Sequence, residues 1–150
     1  YRYFPGGRDE LIGAAVGWEY DRFFVRLYDE VKDASTLEEV IEGGLTFAHR
    51  SIAEHEVLQR VLQTEPELLL PALTLKNANT VALVAGFLTP YLEHHALAPG
   101  VAVTEAADFL ARMVLSYMSA PGRWDLEDPD QVARLVRVEL LGGIVPPARH

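Results

Sequence analysis

Five histidines (His49, His55, His94, His95 and His150) are the side chains of this chain best suited to bind a metal or move a proton near neutral pH. A di-metal carboxylate site in a helical bundle needs Glu-x-x-His on two helices. None of the five has a Glu three residues before it. Glu54-His55-Glu56 and Glu93-His94-His95 are sequential neighbours, which point to different sides of a helix and read as solvated helix ends. Ser51 and His55 stand one helical turn apart without a third group to complete a nucleophile. No HExxH, GxSxG or Walker A pattern is present. There is no Cys, so disulfides, thiolate metal sites and Cys nucleophiles are excluded. The residues therefore predict no catalytic centre, no metal and no cofactor, and the chain reads as a non-enzyme.

Binding is the chemistry that remains. Trp18, Phe23, Phe24, Phe47, Phe87 and Tyr91 recur on segments expected to be central. Small residues (Gly43, Gly44, Ala82, Ala85, Gly86) sit among them. Small residues facing rings mean close helix packing first and a cavity second. Any such cavity would have apolar walls with a few polar groups, such as His49, Arg50 and Tyr91, and would suit a hydrophobic or amphipathic small molecule.

The elements that must position these residues are helices, because no stretch keeps the alternating period of a strand for long. With 150 residues, 49% of them apolar, the chain can build one domain with a real core. A first helix is predicted from about Arg8 to Asp33, after the Pro5-Gly6-Gly7 turn, with Asp9 and Glu10 at its positive end. Capping boxes at Ser35 or Thr36 open a second helix to about residue 50, interrupted by Gly43-Gly44. A third covers about 53–63. Thr64-Glu65-Pro66-Glu67 opens a short turn that Pro71 ends or kinks. The helix over 74–95 is apolar all round between Val81 and Leu88, as a helix buried among others would be, and too short there to cross a membrane.

A helix over 104–119 follows, and Asp128-Pro129-Asp130-Gln131 gives the clearest start signal in the chain for a last helix running to Leu141. The class is all-α, one helical bundle. The 104–119 helix carries three apolar rows where a surface helix needs one stripe, and the last helix is similarly apolar. Two such neighbours predict that the two C-terminal helices form an intermolecular four-helix bundle about a two-fold axis, the alternative being that both are simply core helices of the monomer.

Thirteen Lys and Arg face 22 Asp and Glu, a formal charge of −9. A body this acidic is a poor ligand for nucleic acid or an anionic membrane surface. The charge is uneven, however. Tyr1 to Arg8 hold two arginines and no carboxylate, and the remainder nets −11. With no signal-like N-terminus and no Met at the front, the chain is expected to be cytoplasmic, soluble and incomplete at its start.

That basic, aromatic head carries a resemblance. Tyr1-Arg2-Tyr3-Phe4-Pro5-Gly6-Gly7-Arg8-Asp9-Glu10-Leu11 resembles the end of the helix-turn-helix in tetracycline-repressor-type (TetR) regulators. There a recognition helix ends in a Tyr-x-His/Tyr-Phe run, followed by a short turn and an acidic helix start. Ala111 to Met118 with Pro121-Gly122 is similar to the family's penultimate helix and its exit turn, and the helix opened by Asp128-Pro129 to its last dimerisation helix. One departure stands out: Gly6-Gly7-Arg8 has one residue more than the usual turn, and Arg where Lys is common.

The resemblance implies a ligand-responsive transcriptional regulator of the repressor type. It would bind operator DNA as a homodimer and change its DNA affinity when a hydrophobic effector enters. It implies that residues 1–7 are the remnant of the DNA-binding domain and 8–150 the ligand-binding and dimerisation domain. Tyr1, Tyr3 and Arg8 would be DNA-backbone contacts. The base-reading residues would lie upstream, so these residues alone should not bind an operator. Trp18, Phe47, His49, Phe87, Tyr91, Met113 and Tyr117 are the candidate ligand-binding residues, each equally at home in a plain core. Leu110, Val114, Leu135 and Val138 are the candidate dimer seam. The alternative is a stand-alone helical lipid- or small-molecule-binding bundle without a DNA function.

Overall fold

The computed structural model describes residues 8–67 and 78–147, with side chains over 19–67 and 79–147. Tyr1, Tyr3, the side chains of Arg8 and Trp18, and the expected kink at Pro71 lie outside the described residues. Six α-helices and one π-helical turn make up the described chain: α1 (Arg8–Val31), α2 (Leu37–Glu54), α3 (Glu56–Thr64), α4 (Ala78–Glu93), α5 (Val103–Ser119), α6 (Pro129–Leu135) and the turn Val136–Leu140 that continues α6. No strand occurs among the described residues.

Local chemistry fixes most boundaries. At α2 the second of the two possible capping boxes forms: the Glu39 N–H donates to Thr36 Oγ1 at 3.1 Å, and the Glu39 carboxylate takes the Ser35 N–H at 2.9 Å. Asp128 caps α6 by accepting from the Asp130 N–H, with Pro129 at the first helical position. Two boundaries among the described residues differ from expectation by more than two positions. α2 runs to Glu54 instead of about residue 50, straight through Gly43-Gly44. α3 begins only at Glu56, because the His55 ring caps it: its Nδ1 accepts from the Leu58 N–H at 3.0 Å.

The two mid-helix glycines of α2 serve close packing. A Cβ on Gly43 would stand 3.1 Å from Val31 Cγ1, and one on Gly44 3.8 Å from Leu27 Cδ1, so α1 lies directly along this face. The loops before and after α5 turn at Gly100 (φ 83°) and Gly122 (φ 63°), each following a proline. A side chain at either would be strained.

The main core lies between α2, α4, α5 and α6. Leu45, Leu92, Leu110, Leu135, Val136, Leu140 and Leu141 are all almost completely enclosed. Ala106 and Ala107 let α5 approach α4 closely. The π-turn explains how the last helix keeps its leucines inside. With α-helical winding at about 100° per residue, Glu139 would fall on the same stripe as Val132, Leu135 and Val136. The wider turn, closed by Leu141 N–H donating to the Val136 carbonyl, moves Glu139 to the edge and turns Leu140 and Leu141 inward. At that edge Glu139 accepts from the Tyr117 hydroxyl and from Arg123, whose guanidinium sits over the Trp124 ring.

α4 is less enclosed than its composition predicts. Leu88 and Leu92 belong to the main core and Val81 is buried, but Ala82, Leu83 and Gly86 are exposed, Leu83 at 45%. α5 and the rings of α1 and α2 cover two sides of α4 and leave the third open.

Candidate functional site

A second, smaller cluster joins α1 to α2 and α4. It is built around Leu27, Val31, Val40 and Phe47, with Phe23, Phe24, Phe87 and Tyr91 packed on it. Five rings from three helices form a continuous row. Phe47 of α2 stacks on Phe23 of α1, with centroids 5.5 Å apart and planes at 29°. Phe23 meets Phe24 edge-on at 5.3 Å and 78°. Phe24 reaches Phe87 of α4 at 5.8 Å, and Phe87 meets Tyr91 one turn further along at 5.4 Å. These separations are those of favourable ring pairs. At the outer end of the row, the Arg26 guanidinium lies 5.4 Å above the Phe47 ring. There Phe47 also borders an open groove of about 350 Å³ lined by Arg26, Asp29 and Glu30.

The inner end differs in kind. The Tyr91 hydroxyl oxygen is buried without a hydrogen-bond partner. Burial raises its pKa, and the neighbouring Tyr28 phenol raises it further, so the group stays neutral and keeps its proton to donate. Such an unmet buried group costs about 1–3 kcal/mol.

α1 depends on this cluster and on a few polar ties. The Tyr20 and Thr80 hydroxyls lie 3.2 Å apart, linking α1 to α4. His55 Nε2 sits 3.1 Å from Glu19 Oε2. Because its Nδ1 accepts the Leu58 N–H, the neutral ring carries its proton on Nε2 and donates it to Glu19.

The structure divides the residues that sequence alone placed in one pocket. Phe47, Phe87 and Tyr91 share the ring row. Met113 and Tyr117 pack half-buried on the main core, and Tyr117 is tied to Glu139. The same bond holds the Tyr117 phenol above its ordinary pKa and the Glu139 carboxyl below its own. His49 lies on α2 with Nε2 3.8 Å from Glu127. Phe23 and Phe24, which link the row together, carried no site assignment in the sequence. Their adjacency on the connecting helix was the available signal, since neighbouring rings there must face both α2 and α4.

A second open groove of about 290 Å³ runs along α2, lined among others by Glu30, Glu39, Glu42, Arg50 and Val132. Partial burial and the charges of Glu38 and Glu39 raise the Glu42 pKa, against a lowering by Arg137. Among the described residues no three His, Asp or Glu side chains converge as metal ligands. No described helix is long and apolar enough to cross a membrane.

The seam candidates also fall into two groups. Leu110 and Leu135 are 0% exposed within the single chain and have no surface left to offer a partner. Val114 is half-buried on α5, and Val138, at 58%, is among the most exposed apolar residues described, with Phe109 at 43%.

No curated protein and no solved structure matches the chain. A family model described as the bacterial tetracyclin repressor C-terminal domain matches residues 36–137, which takes in α2 through α6 and the first residues of the π-turn. The chain belongs to the family of tetracycline-repressor C-terminal domains.

Proposed function

We propose that this chain is the effector-sensing and dimerising part of a ligand-responsive transcriptional repressor acting as a homodimer on operator DNA. The family match over residues 36–137 carries this reading. Residues 8–150 are the regulatory domain, and residues 1–7 the end of a helix-turn-helix whose base-reading part lies upstream. Tyr1, Tyr3 and Arg8 contact the DNA backbone. The effector is a hydrophobic small molecule bound at the ring row between α1, α2 and α4. α1 has 24 residues and spans about 36 Å at 1.5 Å per residue, long enough to carry a movement from the row to the DNA-binding end. An effector with different affinity for two settings of α1 shifts their populations.

The two-fold seam runs along α5 and the last helix. Its contact surface is Val114 and Val138, with Leu110 and Leu135 forming the rigid floor beneath. The Val114→Asp, Val138→Asp double variant should sediment as a monomer, and an unchanged dimer defeats this seam.

The decisive experiment is selection of sites by the full-length natural protein from a random duplex library. The selected sites should show two-fold half-sites about 10 base pairs apart, centre to centre, or a multiple of that. Absence of any selected sequence overturns the regulator reading and favours a stand-alone binding bundle.

A further inference from the structure

Resting on the reading that the ring row is the effector site, we propose that its effector is an uncharged, flat aromatic molecule carrying one hydrogen-bonding group that meets the Tyr91 hydroxyl. Two observations set this class. The row itself (Phe47, Phe23, Phe24, Phe87, Tyr91) presents ring faces and edges, and the charged group that meets it is Arg26, over Phe47 at its outer end. A ligand carboxylate among these rings would lose its hydration and meet the negative ring faces, and a ligand cation would compete with Arg26, which already lies on the Phe47 face. The second observation is the Tyr91 oxygen, the one buried side-chain polar atom among the described residues left without a partner. A ligand hydroxyl or carbonyl at that point satisfies a group the protein leaves unmet, whereas a pure hydrocarbon does not.

The rings fill the row by touching one another, so the ligand enters by separating α1 from α4. The two helices are held there by side-chain reach: Phe24 on Phe87 and Tyr20 on Thr80. The charges stand at the rim, with Arg26 over Phe47 and Asp29 and Glu30 beside it.

The test uses one ring system in four forms: 2-naphthol, naphthalene, 2-naphthoate and the 2-naphthylmethylammonium ion. Affinities are measured by calorimetry on the chain and on Tyr91→Phe, with aromatic NMR shifts of the phenylalanines as the site readout. On the natural chain, 2-naphthol should bind about tenfold more tightly than naphthalene, the effect of roughly one net hydrogen bond to a buried group. That advantage should disappear in Tyr91→Phe. Both ions should bind more weakly than 2-naphthol. Without ligand, Tyr91→Phe should melt at the same temperature as the natural chain or higher, because it removes an unpaired polar atom.

If 2-naphthol has no advantage, keeps it in Tyr91→Phe, or is outbound by either ion, the proposed class is wrong. A lower melting temperature for unliganded Tyr91→Phe also overturns it, since the hydroxyl would then already be bonded. In those cases perturbed phenylalanine shifts leave the ring row standing as the effector site. If no probe perturbs the phenylalanines, the site and the class fall together.

Discussion

The aliphatic core between α2, α4, α5 and α6 and the ring row under α1 are both apolar, yet they are finished to different degrees. In the first, Leu110, Leu135, Val136, Leu140 and Leu141 have no exposed surface at all. Glu139, which could have spoiled it, is turned out to Tyr117 and Arg123. In the second, Leu27, Val31, Val40 and Phe47 are buried, but Phe23, Phe24, Phe87 and Tyr91 around them are only half-buried, and Tyr91 keeps an unmet hydroxyl. Complete burial makes a body that resists opening; incomplete burial makes an attachment that can open on its own. Elements that open locally come from the less stable end of a structure, and here the less enclosed packing is that of α1.

The largest expected effect tests this contrast directly. Leu135→Ala empties part of the closed core and should cost about 2–5 kcal/mol in urea unfolding. Phe24→Ala removes more atoms but from a half-exposed site, so its global cost should be less than half that of Leu135→Ala. Equal costs would erase the distinction between body and attachment.

The same pair should differ in where the loss appears. Phe24→Ala cuts the link between Phe23 and Phe87 and should speed amide exchange in α1 while leaving α5 and α6 protected. Exchange that rises uniformly over all helices would show that α1 opens only with the whole domain.

A smaller effect lies in the seam between α1 and α2. Each mid-helix glycine replaced by Ala gains about 1 kcal/mol in helix propensity. At Gly44 the new methyl meets Leu27 at ordinary contact distance, so Gly44→Ala should stabilise by nearly that amount. At Gly43 it stands 3.1 Å from Val31, and the overpacking cost of about 1–3 kcal/mol offsets or exceeds the gain. Chemical denaturation should rank Gly44→Ala above Gly43→Ala by about 1–3 kcal/mol, the overpacking cost itself. The reverse order would mean that α1 already yields freely at Val31.

What could be read from the sequence follows from how local each cause is. The helical class, the Thr36 and Asp128 caps and the turn at Pro121-Gly122 depend on residues within a few positions of one another, and they were legible. The π-turn was not, because its reason is tertiary: Glu139 has to leave a stripe that only the packed core defines. The start of α3 was missed because a histidine ring acts as the cap, a role usually taken by Ser, Thr, Asp or Asn. The ring row, as a packing feature, was partly legible. Aromatic content marked Phe47, Phe87 and Tyr91, but Met113 and Tyr117 have the same composition and face a different neighbour. The apolar run of α4 gave no sign that Leu83 would lie on an open face, since burial on two sides and on three sides demands the same residues up to that point.

The smallest effect concerns two carboxylates, one on each side of the contrast. Glu139, at the edge of the main core, has its pKa lowered first by the Tyr117 hydrogen bond and further by Arg123. Its ionised form therefore stabilises the fold above the unfolded carboxylate pKa, and that contribution is lost as pH falls through its lowered value. Glu42, in the groove that borders Phe47, has its pKa raised by burial and by Glu38 and Glu39. Its ionised form weakens the fold at neutral pH, and the penalty is relieved as pH falls through the raised value. Glu42→Gln should therefore raise the melting temperature at about pH 7 and converge with the natural chain near about pH 4, the ordinary carboxylate range. Glu139→Gln should lower it at about pH 7, with a deficit that shrinks toward acid. Opposite signs would show that the main core satisfies its rim charge while the groove beside the rings tolerates a strained one. Matching signs would mean that electrostatics does not follow the division that packing makes.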